Sequence, residues 1–177
     1  MAAARQKPIY AFIDSQNLNL AIRSLGWKLD FARFRVYLND KFKIAKAYLF
    51  IGFIKGNEKL YDYLEKSGYI LIFKPVINDN LGHAKGNIDA ELVLHSMIQY
   101  PNYSKAAIIS GDGDFFCLAE HLKQKRKLAK IIVPNRKKYS QLYRKFKDDL
   151  YFLNNLKAKL ASSEKIKRGR RRRHQHR

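Results

Sequence analysis

Cysteine is almost absent from this sequence, which has one, Cys117, among 177 residues. A single cysteine cannot form a disulfide within the chain or supply a cysteine-rich zinc site, so a reducing compartment is expected. Its place on the inner stripe of a predicted helix, beside Phe116 and Leu118, favours a small, buried, apolar role over that of a nucleophile. The opening residues MAAARQKPIYAF lack the apolar run of a signal peptide, and no stretch approaches the ~18 apolar residues of a membrane span. These absences favour a soluble, cytoplasmic protein with no membrane partner.

Several common catalytic and nucleotide-binding motifs are also missing. The sequence contains no G-x-x-x-x-G-K-[ST] loop, no G-x-G-x-x-G fingerprint, no G-x-S-x-G elbow and no H-E-x-x-H pair. The segment FIDSQN around Asp14 lacks the D-x-D pair of aspartate-based phosphatases. Nothing therefore indicates a P-loop enzyme, a dinucleotide-binding domain, a serine hydrolase or a zinc peptidase.

Acidic residues are few beside the basic ones, with 15 Asp and Glu against 36 Lys and Arg and a formal net charge of +21. Residues 165–177 contain eight of the positive charges and no acid, yet residues 1–164 still have 28 basic and 15 acidic residues, a net +13. A body this basic is typical of proteins that bind a polyanion. Charge alone does not distinguish RNA from DNA, acidic lipid headgroups or acidic proteins.

Short apolar runs alternate with amphipathic segments along the chain. Runs rich in β-branched and aromatic residues predict strands, and apolar spacing near 3.6 predicts the helices between them. The predicted strands are 8–14, 45–52, 69–75, 105–110 and 128–133, and the predicted helices are 17–25, 30–40, 57–67, 88–99, 114–127, 139–147 and 153–161. This alternation indicates an α/β fold with a mostly parallel sheet of about five strands. We expect one domain over 1–161 and a basic tail over 162–177 that is disordered when free.

Four aspartates of this basic chain lie at predicted strand or helix ends. Asp14 ends the first strand, Asp112 and Asp114 follow the fourth, and Asp89 lies in the first turn of the helix before it. Ligands of open α/β sheets bind beyond the carboxyl ends of the strands. Clustered carboxylates raise one another's pKa unless a cation neutralises them, and Mg²⁺ and Mn²⁺ prefer such oxygen ligands. The pattern predicts a metal site suited to attack on a phosphodiester.

Each aspartate also has a simpler interpretation. Asp14 could cap a helix, and Asp112 and Asp114 could form a turn with a cap for the next helix. Asp89 could do no more than favour a helix dipole. The occurrence of all four at element ends of one α/β pattern makes coincidence the weaker explanation.

Three segments, FIDSQNL, KGNIDAELVLHSM and IISGDGDF, resemble in order and spacing the NYN domain of the LabA-like group, within the PIN-like nuclease superfamily. The resemblance spans roughly residues 8 to 150. It implies a Rossmann-like three-layer sandwich and a metal-dependent endoribonuclease that uses Mg²⁺ or Mn²⁺. It also implies catalytic and metal-binding roles for Asp14, Asp89, Asp112 and Asp114, and supporting roles for Asn17, Lys85 and Ser110.

Under that resemblance Asp14, Asp89 and Asp112 bind a metal directly or through water. Asp114 binds a second metal or orients the attacking water. The sequence does not choose between one metal and two. No separate general base is evident, so water activated by the metal is the expected nucleophile.

The segment NRKKYSQLYRKFK mixes cations with aromatic rings, a combination that suits single-stranded nucleic acid. The helical spacing of Tyr139, Leu142, Tyr143 and Phe146 instead favours the core face of a helix, which leaves the cations exposed. The candidate nucleic-acid-binding residues are Arg136, Lys137, Lys138, Arg144 and Lys145, with Arg170, Arg171, Arg172 and Arg173 of the tail.

The leading hypothesis is a metal-dependent ribonuclease with RNA as its partner. A non-catalytic RNA-binding regulatory module of the same fold and a DNA-acting nuclease are the alternatives. The sequence leaves the oligomeric state open, including a homo-oligomer. The tail is expected to add salt-dependent affinity for nucleic acid.

Overall fold

A parallel sheet of six strands forms the centre of the protein. The computed structural model describes residues 6–74, 77–78, 84–85 and 88–163, with the backbone alone described at 77–78, 84–85 and 88. The strands of the sheet are β1 Ile9–Asp14, β2 Ile44–Gly52, β3 Tyr69–Lys74, β6 Lys105–Ile109, β7 Leu128–Val133 and β8 Leu150–Phe152. A separate antiparallel pair consists of β4 Ile77–Asn78 and β5 Ala84–Lys85.

Helices cover both faces of the sheet. The α-helices are α1 Ser15–Arg23, α2 Phe31–Phe42, α3 Glu58–Lys66, α4 Ile88–Ile98, α5 Phe116–Gln124 and α6 Lys157–Leu160, and the 3₁₀ helices are Gly113–Phe115, Gln141–Asp149 and Asn154–Leu156. Helices α1, α2, α3 and α6 share one core with the sheet, whereas α4, α5 and the 3₁₀ helix Gln141–Asp149 share the other. Within the described chain, no helix has the length and apolar composition needed to cross a membrane.

The central strand β1 shows why the sequence folds into three layers. Its residues from Tyr10 to Asp14 are all buried, and Phe12 and Ile13 point into opposite cores. A strand buried on both faces is typical of parallel sheets covered by helices on each side. The near-continuous apolar run that predicted this strand is a direct consequence of that environment.

The strand order places a topological switch point at the centre of the sheet. The order is β3-β2-β1-β6-β7-β8, so the chain builds outward from β1 in one direction and then returns to its other side. The carboxyl ends of β1 and β6 are neighbours there, with Ile13 in register with Ile109. Open α/β sheets bind ligands in the crevice at such a point.

The predicted α/β architecture is confirmed, and the five predicted strands are present within a residue or so at each end. The sheet gains a sixth strand, β8, whose three residues are too few for a recognisable apolar pattern. The predicted α-helix over 139–147 is a 3₁₀ helix over 141–149, kinked at Phe146. Tyr143 and Phe146, three residues apart, are its buried side chains, whereas Leu142 is 55% exposed and the expectation that it packs in the core is wrong.

Cys117 also departs from expectation. Its neighbours Phe115 and Leu118 are buried, but Cys117 is exposed. The buried stripe of α5 consists of Leu118, Ala119 and Leu122, and Cys117 lies about 100° away from Leu118 around the helix. The predicted apolar core role of this cysteine is therefore wrong.

Candidate active site at the carboxyl edge of the sheet

A hydrogen-bond network joins the ends of β1 and β6 at the switch point. Asn17 Oδ1 accepts a hydrogen bond from Gly111 N at 2.8 Å, and Ser110 Oγ donates to Asp14 Oδ2 at 3.4 Å. The same Ser110 oxygen accepts from Asp112 N at 3.1 Å. Asn17 and Ser110 thus fix the loop after β6 against Asp14 and the start of α1.

Asp14 and Asp112 both cap helices. Asp14 Oδ1 accepts from Asn17 N at 3.0 Å at the start of α1, and Asp112 Oδ1 accepts from Asp114 N at 3.1 Å at the start of the 3₁₀ helix Gly113–Phe115. The capping interpretation therefore holds for both residues, and the cap after β6 is Asp112, not Asp114. Capping occupies one oxygen of each carboxylate and fixes the direction of the other.

The charges of the four predicted aspartates affect one another's pKa values. The pKa of Asp89 is raised to about 6, first by burial and then by the charges of Asp112, Asp114 and Asp14. The pKa of Asp14, which is 5% exposed, is raised first by burial and also by Asp112. Helix α4 brings Asp89 into this group because it packs on β1 and β2 and touches the 3₁₀ helix that contains Asp114. Mutual repulsion of this kind is what a bound cation would relieve.

Lys74 is a residue of this region that sequence reasoning missed. It ends β3 and is only 8% exposed. Burial lowers its pKa, and the carboxylates of Asp89, Asp14 and Glu91 oppose that shift. A buried cation facing the acids could interact with a phosphate as well as with the carboxylates. The sequence did show a lysine at the end of a predicted strand, but only the strand order shows that this strand end lies on the same side of the sheet as the acids.

Tyr143 was missed as a site residue for a similar reason. Its ring is fully buried, and among the described residues its hydroxyl is the buried side-chain polar group without a hydrogen-bond partner. Burial raises its pKa, and the charges of Asp112, Asp114 and Asp14 raise it further, so the hydroxyl is within the electrostatic influence of the acidic group. A buried hydroxyl left without a partner costs roughly 1–3 kcal/mol, so a ligand or water at this position would stabilise it.

The donor set at this edge suits a hard divalent cation. Carboxylate oxygens are the ligands that Mg²⁺ and Mn²⁺ prefer. Within the described residues, no three side chains of His, Cys, Asp or Glu are close enough to form a closed metal cage. Mg²⁺ keeps several waters and binds through one or two carboxylates together with substrate phosphate, so an open arrangement is compatible with it.

The loop between β7 and the 3₁₀ helix Gln141–Asp149, residues 134–140, borders the acidic group on the β7 side. We call it the basic loop because it contains Arg136, Lys137 and Lys138. Gly113 approaches it so closely that a Cβ there would collide with Ser140 Oγ, and Ser140 N donates to Gly111 O at 2.9 Å. Lys138 lines a small hollow that also includes Asp112 and Asp114. This close packing places Lys138 beside Asp112 and Asp114.

The other predicted nucleic-acid-binding residues are more scattered. Arg136 and Lys137 are exposed on the same loop, and Arg136 lies over the Phe152 ring. Lys145 is exposed but paired with Glu120, and Arg144 is exposed on the 3₁₀ helix. The side chain of Lys85, in β5, and the tail residues Arg170, Arg171, Arg172 and Arg173 lie outside the described part of the structure.

Comparison with known proteins agrees with this architecture. A family model described as the NYN domain matches residues 8–154. The chain belongs to the NYN domain family. The low amplitude and bright protein LabA of Synechococcus elongatus is 27% identical over 134 residues, which is 70% of this chain and 72% of LabA. A crystal structure of a Vibrio parahaemolyticus protein of unknown function shares the fold, with a TM-score of 0.72, 23% identity, and coverage of 88% of this chain and 98% of that one.

Asp89→Asn should stabilise the metal-free protein above pH 6. The pKa of Asp89 is about 6 in the fold against an ordinary value of 3.8, so its contribution to stability is present below pH 4 and is lost as the pH rises through 6. Asparagine stays neutral and avoids that loss. Because solvent screens a partly exposed carboxylate, we expect a gain of only about 2–4 °C in Tm.

The measurement is thermal unfolding of both proteins in EDTA from pH 4.5 to 8. The difference in Tm should be small at the acid end and should grow through pH 6. A difference that stays constant over this range would show that Asp89 is not repelled by the other acids.

Proposed function

We propose that this NYN domain protein is a metal-dependent endoribonuclease whose site comprises Asp14, Asp89, Asp112 and Asp114. The observation that supports the proposal most is the raised pKa of Asp89, caused by burial and by the three other aspartates at the switch point. Carboxylates that repel one another in a chain with a net charge of +21 have a clear use as ligands of a cation. The membership in a family of nuclease type supports the same reaction class.

The proposed reaction is hydrolysis of an RNA phosphodiester. Water adds to phosphorus, one phosphorus–oxygen ester bond breaks, and the leaving oxygen takes up a proton from solvent. Mg²⁺ or Mn²⁺ at the carboxylates would lower the pKa of the attacking water and stabilise negative charge on the phosphate. Asn17 and Ser110 would hold the acids in position through the hydrogen bonds that link α1 to the loop after β6.

Roles for the surrounding cations follow from their position. Lys74 on one side and Lys138 on the other flank the acids and would bind the phosphates next to the scissile bond. The acids would otherwise repel a polyanion, so flanking cations are needed for substrate to approach. Asp114 is the most exposed of the four acids, and its proposed role is to bind a second ion or orient water.

The deciding experiment is cleavage of a labelled single-stranded RNA by purified protein with Mn²⁺, with Mg²⁺, and with EDTA. We expect cleavage with either ion, none in EDTA, and recovery when excess Mn²⁺ is added back. A single-stranded DNA of the same sequence distinguishes a ribonuclease from a DNA-acting nuclease. RNA binding without turnover under every condition would contradict the proposal and favour a non-catalytic RNA-binding module.

Removing residues 164–177 should weaken RNA binding while leaving the chemistry intact. Residues 165–177 have eight positive charges, and each phosphate contact with single-stranded nucleic acid contributes about 0.7 to the slope of log affinity against log salt. Truncation after Ser163 keeps the hydrogen bond from Ser162 N to Lys28 O at 2.9 Å. We expect a slope flatter by several units and an unchanged kcat on a short oligonucleotide. Loss of cleavage at saturating substrate would assign the tail a role in the chemistry.

A further inference from the structure

A large groove adjoins the acidic group on the side of β2 and β3, opposite the basic loop. Its volume is about 810 Å³. Its lining includes Ser15 and Gln16, which directly follow Asp14 at the start of α1, and Lys74 at the carboxyl end of β3. The groove is therefore continuous with the carboxyl edge of the sheet.

Cations dominate the charged lining of the groove. Arg23, Lys28 and Lys74 all line it. Among the described lining residues the one acid is Asp30, and its carboxylate caps α2 through Arg33 N at 3.0 Å. Asp30 also lies 3.6 Å from the Arg33 guanidinium, so its charge is largely compensated within the protein. The groove thus presents net positive charge to a ligand.

Exposed apolar side chains line the same groove as those cations. Ile54 is 59% exposed, and Leu60 and Tyr63 are each 41% exposed, although all three line a concave surface. The Tyr63 hydroxyl donates to Asp30 Oδ1 at 3.3 Å and accepts from Ala32 N at 3.1 Å. These bonds hold the ring in place before any ligand arrives. A fixed, half-exposed ring is a suitable surface on which a base can stack.

We propose that this groove binds the nucleotides of single-stranded RNA that continue from the cleavage site, an inference that rests on the proposed nuclease function. Phosphates would lie against Lys74, Arg23 and Lys28, and one base would stack on Tyr63. Grooves that combine cations with aromatic and apolar surface are typical of single-stranded nucleic-acid binding. A duplex would not place unpaired bases in this groove, so the proposal is restricted to single strands.

Charge also argues against the tail of this chain as the occupant. Residues 165–177 contain eight positive charges and no acid, and they would be repelled by Arg23, Lys28 and Lys74. The described chain does reach the rim of the groove, since Ser162 lines it and its N–H donates to Lys28 O. The tail therefore starts where a bound polyanion would lie, and its charges add to those of the groove.

The test is binding of a fluorescently labelled single-stranded 12-nucleotide RNA, measured by anisotropy in EDTA so that binding is read without cleavage. The variant is Arg23→Glu, and its control is Lys105→Glu. The control makes the same charge change at the first residue of β6, where the amino-terminal ends of the strands lie. We expect Arg23→Glu to weaken binding roughly 10-fold more than the control and to flatten the salt slope by about one unit. Tyr63→Leu should weaken binding roughly 10-fold with the salt slope unchanged, as loss of one stacked base predicts.

Three outcomes decide the matter, provided that thermal melts show each variant to be folded. Equal affinities and slopes for Arg23→Glu and Lys105→Glu, with metal-dependent cleavage retained, would overturn the groove and leave the nuclease proposal intact. Selective loss of binding in Arg23→Glu without any cleavage by the wild type would support the groove and refute the nuclease. Equal dependence of duplex and single-stranded RNA on Arg23 would overturn the restriction to single strands.

Discussion

Asp112→Asn should lower the rate of RNA cleavage at least roughly 10²-fold without unfolding the protein. The substitution removes a full negative charge from the centre of the acidic group, where that charge contributes to the raised pKa of both Asp14 and Asp89. Loss of one preorganised electrostatic contact to a transition state typically costs 10²–10³ in kcat. Asparagine keeps a side-chain oxygen that can accept from Asp114 N, so the cap of the 3₁₀ helix survives.

The control for this variant is Asp148→Asn, which removes the same charge at an exposed position. Asp148 lies just before β8, at the amino-terminal ends of the strands and away from the acidic group. The cleavage rate of this control should match that of the wild type. The Tm of Asp112→Asn in EDTA should equal or exceed the wild-type value, because repulsion between the acids is reduced. Cleavage by Asp112→Asn at the wild-type rate, or cleavage by wild type that survives EDTA, would contradict the proposed site.

The centre of the fold was predictable from the sequence because the central strands β1 and β6 are buried on both faces. Continuous burial leaves an uninterrupted apolar run such as IYAFID, and a strand of this kind ends where the chain turns polar. The same property marks Asp14 and Asp112, the polar residues that follow the two central strands. Position at a strand end is local information, and it survives in the sequence.

Some residues reach the site only because of the order of the strands in the sheet, and these were not predictable from the sequence. Lys74 ends the edge strand β3, and nothing local indicates that β3 lies two strands from β1 on the side of Asp89. Tyr143 has the spacing of a core residue and is indeed fully buried, and nothing in that spacing indicates that three aspartates raise the pKa of its hydroxyl. The groove depends on α1, α2, α3 and the end of β3 together, so no single segment of sequence reveals it.

The two flanks of the acidic group also differ in a way that composition could not show. The basic loop on the β7 side has Arg136, Lys137 and Lys138 exposed with little concave surface around them. The groove on the β3 side is also lined by three cations, but it encloses about 810 Å³ and includes exposed apolar side chains. Open cations suit phosphates alone, whereas the groove suits bases as well.

Lys74→Met is expected to change metal binding and cleavage in opposite directions: the affinity for Mn²⁺ should rise and the rate of cleavage should fall. Lys74 is a buried cation that interacts with Asp89, Asp14 and Glu91. Its removal eliminates repulsion towards a divalent ion, so the affinity for Mn²⁺ should rise roughly 3- to 10-fold. Cleavage should nevertheless fall by roughly 10² in kcat/KM, because a cation that would face the charged phosphate in the transition state is lost.

The two readouts are Mn²⁺ titration by calorimetry and RNA cleavage at saturating Mn²⁺, with Lys105→Met as the control at the opposite edge of the sheet. Methionine matches the length of the lysine stem and suits a position that is 8% exposed, so the fold should persist. A lysine that serves only to pack the end of β3 would change Tm and leave Mn²⁺ affinity and cleavage at control values. Weaker Mn²⁺ binding together with slower cleavage would instead mean that Lys74 orders the acids, and would contradict its proposed contact with phosphate.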